Sequence, residues 1–167
     1  NSTLTNVRTA LVDKNRKLKN KKFKLSDLKN VNIVGDRSFK VDNDTLESWF
    51  RYDKGDYTFM ILSLLYPCAN IASSTYHQDH MHPASILKKT KFSDLRNRLA
   101  NLQLLEDKEN ESKQDMSLED WLKKDRVRRK NTKYLPKCSY KIEDYEVFLE
   151  KRKELMKKEL KKILELD

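Results

Sequence analysis

The sequence predicts a mainly α chain with a small β-hairpin, on three observations. Lys, Leu, Glu and Asp dominate, while the whole chain holds two glycines and three prolines, which favours helices over a loop-rich β-sandwich. Apolar residues recur at helical spacing in several stretches, most regularly over 141–165. All three histidines fall in one run, Tyr76-His77-Gln78-Asp79-His80-Met81-His82-Pro83-Ala84-Ser85. That run is answered downstream by a short apolar strand pattern, Asn101-Leu102-Gln103-Leu104-Leu105, and then by Asn110-Glu111-Ser112-Lys113.

The elements follow in order. Leu4, Val7, Leu11 and Leu18 place a helix over 2–18, and the basic run from Lys14 to Lys24 follows, with Phe23 near its end. Ser26 caps a short helix, Val31-Asn32-Ile33-Val34 reads as extended, and Gly35-Asp36 reads as a turn. Asp42-Asn43-Asp44 opens a helix that carries Leu46, Trp49 and Phe50 on one face. After Gly55-Asp56, the span Tyr57 to Tyr66 is apolar nearly all round, the signature of a buried helix, and Pro67 ends it. Ser117-Leu118-Glu119-Asp120 resembles a capping box and starts a helix through Trp121 and Leu122. The last helix presents Ile142, Tyr145, Phe148, Leu149, Arg152, Leu155, Met156, Leu160, Ile163 and Leu164 as one stripe.

At 167 residues the chain is long enough for one domain, but 37% charged residues leave it a modest core. No stretch approaches the roughly 20 apolar residues of a membrane span, and no signal-peptide pattern opens the chain. Cys68 and Cys138 are lone thiols outside any Cys-x-x-Cys pair, which excludes a zinc ribbon and fits a cytoplasmic location. The chain lacks an initiator Met and begins inside a helical pattern, so it is expected to be the C-terminal part of a longer protein.

The net charge is +10, unevenly spread: +5 over residues 1–66, −2 over 67–122 and +7 over 123–167. A slightly acidic centre between basic flanks suits a metal site that meets a polyanion. Lys123 to Lys137 holds eight basic residues and one acid, Asp125; Lys123, Lys124, Arg126, Arg128, Arg129 and Lys130 are the candidate DNA contacts. The alternative is a solvated linker.

Phosphodiester cleavage needs a deprotonated water, charge stabilisation at phosphorus and a neutralised leaving oxygen. Asp79 and Asn110 offer hard oxygens to a divalent ion, Mg²⁺ first and Mn²⁺ second. His80, beside Asp79 at the expected strand end, is the candidate base, with both side chains expected to reach one cleft. Asn101 at the head of the second strand can bond backbone across the intervening loop and so aim His80. Lys113 lies three residues past Asn110, on the same helix face, and could hold a neighbouring phosphate.

These three blocks resemble the HNH (His-Me finger, ββα-metal) nucleases, whose pattern runs Asp-His-x-x-Pro, Asn-Leu-x-x-Leu, Asn-x-x-Lys. Here it reads Asp79-His80-Met81-His82-Pro83, then Asn101 to Leu105, then Asn110 to Lys113. The resemblance implies His80 as general base, Asp79 and Asn110 as metal ligands and Asn101 as the residue that fixes the loop. The Leu-Ser-Leu-Leu-Tyr-Pro segment before the motif and the Phe-Leu-Glu-Lys-Arg-Lys-Glu-Leu helix after it look like the C-terminal nuclease domain of GmrSD-type restriction proteins, over roughly residues 57–165. That implies a DNA endonuclease or nickase of a bacterial anti-phage system, fused to an N-terminal sensor or nucleotide-handling domain. It also implies a ββα-metal core over about 74–116 with helical flanks at 1–66 and 117–167.

Glu106 and Glu109 stand where many HNH enzymes carry a zinc-binding Cys pair, so the flanking helices must supply the rigidity. His77 replaces a common acidic residue. It shares a strand face with Asp79 and could be a third metal ligand, an orienting residue or a phosphate contact. His82 is expected in the loop, within reach of DNA. One such site cuts one strand per event, so a double-strand break needs a homodimer or two encounters. The competing functions are an inactive DNA-binding module and a helical protein-interaction domain.

Overall fold

A computed structural model of the chain describes residues 2–19, 27, 41–67, 75–107, 111, 113–124 and 132–166. The architecture is mainly α with a two-stranded antiparallel hairpin. Its elements are α1 (Ser2–Leu18), α2 (Asn43–Trp49), α3 (Asp56–Leu65), β1 (Tyr76–His80), α4 (Ala84–Leu87), β2 (Leu102–Glu106), α5 (Leu118–Lys124) and α6 (Tyr145–Leu164). No helix among the described residues is long and apolar enough to cross a membrane. The chain divides into two compact units, Asn1–Leu46 with Lys161–Asp167, and Glu47–Leu160.

In the first unit, α1 occupies the predicted span and ends on Arg16 and Lys17, where cations suit the negative end of the helix dipole. Lys14 pairs with Asp27 at 3.5 Å. Asp42 caps α2, its Oδ1 accepting from the Thr45 N–H at 2.8 Å. The expected cap at Ser26, the extended Val31–Val34, the Gly35-Asp36 turn and the part of the basic run from residue 20 to Lys24 lie outside the described residues.

The second unit holds the hairpin. Its register pairs Tyr76 with Glu106, His77 with Leu105, Gln78 with Leu104, Asp79 with Gln103 and His80 with Leu102. Leu102, Gln103, Leu104 and Leu105 are all buried, so β2 is the covered strand and β1 the half-exposed one. Helix α3 packs on β2 through a face that includes the buried Ile61, Leu62 and Leu65. It is not buried all round as its composition predicts: Tyr57, Met60 and Leu64 remain 73%, 65% and 40% exposed. A hairpin only two strands wide covers one stripe of a helix, which leaves the opposite stripe in water.

Helix α5 starts on the predicted box. The Asp120 N–H donates to Ser117 Oγ at 3.1 Å, and that hydroxyl donates to Asp120 Oδ2 at 2.6 Å. Residues Ile142–Asp144 form a 3-10 turn that leads into α6. The α6 stripe buries Tyr145, Phe148, Leu149, Arg152, Met156 and Leu160, whereas Leu155 falls off the stripe and is 40% exposed.

Candidate functional site

The site forms where β1 ends. The Met81 N–H donates to the Asn101 carbonyl at 2.7 Å, extending the hairpin one rung past His80. The chain then turns through Met81, His82 and Pro83 into α4. Asn101 is fully buried and spans this loop with three bonds. Its Oδ1 accepts from the His82 N–H at 2.9 Å, and its Nδ2 donates to the His82 carbonyl at 3.0 Å and the Arg96 carbonyl at 2.8 Å. One amide thus satisfies three backbone groups, two of them in buried bonds.

Side chains alternate along a strand, so Asp79 and His80 leave β1 on opposite faces. The expected common cleft for Asp79 and His80 would lie at the end of β1, where both side chains emerge. On one face, Asp79 lies across from Gln103, whose Nε2 donates to Asp79 Oδ2 at 2.9 Å. Lys113 Nζ reaches the same oxygen at 2.9 Å and also bonds the His80 carbonyl. Asp79 Oδ1 has no hydrogen-bond partner among the described residues. On the other face, His80 Nε2 lies 3.0 Å from Asn97 Oδ1. Burial holds the His80 pKa below its ordinary value, and the cations Lys54 and Lys113 act in the same direction. The Asn97 bond and the Asp79 charge oppose that shift without reversing it.

Two expected phosphate or DNA contacts are buried in this structure. The Lys113 side chain is 1% exposed, its ammonium committed to Asp79 and His80 and set 5.6 Å from the Trp121 ring centre. Desolvation lowers its pKa, and the Asp79 charge works against that. Lys113 therefore braces the strand end. His82 is also fully buried, edge-on to Phe148 at 4.5 Å and Tyr145 at 5.3 Å between ring centres. Neither of its ring nitrogens has a hydrogen-bond partner, and burial pushes its pKa down to about 4, aided by the Lys113 and Arg152 charges.

His77 shares the Asp79 face and pairs with Asp107, Nε2 to Oδ1, at 2.7 Å. Asn110, Arg126, Arg128, Arg129 and Lys130 lie outside the described residues. Lys123 and Lys124 close α5 with exposed side chains, Lys123 paired with Glu119 at 2.9 Å. Among the described residues no three His, Cys, Asp or Glu side chains cluster closely enough to hold a metal ion. Asp79 Oδ1, unpartnered among the described residues, is the carboxylate oxygen that would meet Mg²⁺, which takes one or two protein carboxylates and keeps most of its waters.

Sequence reasoning gave no role at the site to three residues found here. Gln103 carried a readable signal, a lone amide in an apolar strand at the rung opposite Asp79. Arg152 carried another, a cation on an apolar stripe: it is fully buried, and its guanidinium donates to the Ala100 and Leu102 carbonyls at 2.6 and 2.8 Å. Asn97 carried none, because only folding brings its loop against β1.

The model of the family described as GmrSD restriction endonucleases, C-terminal domain, matches residues 36–159. No curated protein matches the chain.

Proposed function

The chain belongs to the family of GmrSD restriction endonuclease C-terminal domains, and we propose that it is a metal-dependent DNA endonuclease or nickase of the HNH type. The observation that carries this reading is the pair of groups at one strand end: an imidazole bonded to Asn97, and a carboxylate with one oxygen unpartnered among the described residues. In-line displacement sets the attacking and leaving oxygens on opposite sides of phosphorus.

His80 takes a proton from water, and the hydroxide's electron pair attacks phosphorus while the bond to the leaving sugar oxygen breaks. Asp79 would hold the divalent ion through Oδ1, with Asn110 and His77 as the further candidate donors. Bound there, the ion supplies positive charge to the phosphate and the leaving oxygen. Asn101 holds the loop, and Lys113 and Gln103 hold the Asp79 carboxylate in one orientation. Lys123 and Lys124, with the basic residues that follow them, contact the duplex backbone. In the cell the domain would serve a cytoplasmic defence against phage DNA, coupled to a sensor elsewhere in a longer protein.

The test is nicking of supercoiled plasmid in Mg²⁺ or Mn²⁺, with and without chelator. Wild-type protein should cut only with metal, and His80→Ala should lose cutting while keeping its affinity for DNA. Equal cutting by His80→Ala would remove His80 as the base. A second reading, a non-catalytic DNA-binding module, has one observation in its favour: the Lys113 ammonium already neutralises Asp79. DNA binding without cutting in either metal would select it.

A further inference from the structure

We propose that residues 51–57 form a second nucleic-acid contact, which takes one unpaired DNA base against the Tyr52–Tyr57 ring pair while Lys54 holds the adjoining phosphate. This deepens the DNA-endonuclease reading by naming a substrate class, DNA with an unpaired base, and it rests on that reading. The segment Arg51-Tyr52-Asp53-Lys54-Gly55-Asp56-Tyr57 interleaves rings with charges. Both rings reach the surface: Tyr57 is 73% exposed and Tyr52 39%. Their centres lie 5.9 Å apart, with the planes tilted by 39°.

Single exposed apolar residues are ordinary, but these two join exposed Met60 and Leu64 in lining one groove. Trp49 and Ile61 complete the lining, and the groove has a volume of about 240 Å³. Pockets for drug-sized ligands run to roughly 300–1,000 Å³, and a partner helix is about 10–12 Å across. A groove this small suits one flat ring better than either. Every base offers a flat face, and stacking on aromatic side chains is how proteins hold bases that are not paired.

The charges point to the same partner. Arg51 and Lys54 are exposed and form no ion pair among the described residues. Asp53 is paired with Arg98 at 3.6 Å, and Asp56 lies in the first turn of α3, where the helix dipole favours an acid. Two uncommitted cations beside two exposed rings complement a phosphate backbone and the bases it carries. The segment is also fixed against the strand end. The Lys54 N–H donates to the Asn97 carbonyl at 2.9 Å, and the Leu99 N–H donates to the Tyr52 carbonyl at 3.1 Å. The Gly55 N–H donates to Gln78 Oε1 at 3.2 Å, and Thr58 Oγ1 donates to the Asp53 carbonyl at 2.6 Å. Gln78 and His80 share one face of β1, and Asn97, which holds Lys54, also meets His80 at 3.0 Å. The unpaired nucleotide is thereby set beside the His80 side of the site.

The experiment is DNA binding by the full chain, read by fluorescence anisotropy in chelator so that nothing is cut. The probes are a fully paired duplex and the same duplex with one extra thymine bulged from its centre. Wild-type protein should bind the bulged duplex about 10-fold tighter, within what one stacked base contributes. Tyr57→Ala should remove that preference, and Tyr57→Phe, which keeps the ring, should retain it. Lys54→Ala should weaken binding to both duplexes and lower the salt slope by about one unit. 2-Aminopurine in place of the bulged base should be quenched by wild-type protein and not by Tyr57→Ala. Equal affinity for the two duplexes, or a preference that survives Tyr57→Ala, would overturn the proposal. So would a chain that binds neither duplex but forms a dimer that Tyr57→Ala and Met60→Ser dissolve, since this face would then dock a second copy. A bulge preference in a protein that cuts nothing with Mg²⁺ or Mn²⁺ defeats the endonuclease reading alone, and cutting without the preference defeats this proposal alone.

Discussion

Replacing His82 with Phe should make the protein more resistant to acid. The ring sits at 0% exposure among Tyr145 and Phe148, with both nitrogens unpartnered, and its pKa is pushed from 6.5 down to about 4. Between those two values the unfolded chain binds a proton that the folded chain does not. Stability therefore rises with pH across this window: the contribution is complete above 6.5 and is lost as pH falls toward about 4. At pH 4.5 the loss from this one ring is about 2–3 kcal/mol, at about 1.4 kcal/mol per pKa unit. A typical domain has about 5–15 kcal/mol in all, so the effect is large.

The assay is urea unfolding followed by Trp fluorescence at pH 7 and pH 4.5, in wild-type protein and in His82→Phe. Wild-type protein should lose about 2–3 kcal/mol more than the variant between the two conditions. The variant should be no less stable at pH 7, because its ring has no nitrogen to leave unpaired. His82→Leu guards against overpacking and should show the same pH difference. The backbone bonds of His82 to Asn101 do not involve the substituted ring, so they survive in both variants. Parallel stability–pH curves for all three proteins would refute the reasoning.

Three further outcomes follow from the site. The acid limb of the nicking rate should fall below pH 6.5, because burial lowers the His80 pKa and its base form persists to lower pH; a limb at or above 6.5 contradicts this. Asn101→Ala strands the His82 N–H and the His82 and Arg96 carbonyls, and should cost about 3–5 kcal/mol, read as a lower urea midpoint at constant slope. A loss under about 1 kcal/mol would show that water replaces the amide. Lys123→Ala and Lys124→Ala should each lower the salt dependence of DNA affinity by about one unit of slope without changing sequence preference; unchanged slopes would remove them from the interface.

Helix α1, the start of α2 and the box at Ser117 were legible because each is a local matter, settled by side-chain spacing and by a cap within four residues. The hairpin was legible from the Asn101–Leu105 strand pattern and its distance from the histidine run. The burial of Lys113 and His82 was not legible, for one shared reason. Polarity in sequence marks a residue as solvated, and the reading is wrong wherever a buried partner or an aromatic cage makes up for lost water. Lys113 found Asp79, and His82 stays uncharged between aromatic rings.

The order and spacing of residues determined on their own that the chain is helical, where its hairpin lies, and which histidine and carboxylate stand side by side at the end of a strand. Tertiary structure decided which of those groups face solvent, which faces they occupy and which partners hold them. Asp79 and His80 are neighbours in the chain but leave β1 on opposite faces, and each is held by a residue 17 to 34 positions away, Asn97 for one and Gln103 with Lys113 for the other. A strand's alternation is a local property that a sequence displays. The packing that brings a distant amide or ammonium against it is not, because that depends on burial energy summed over the whole core.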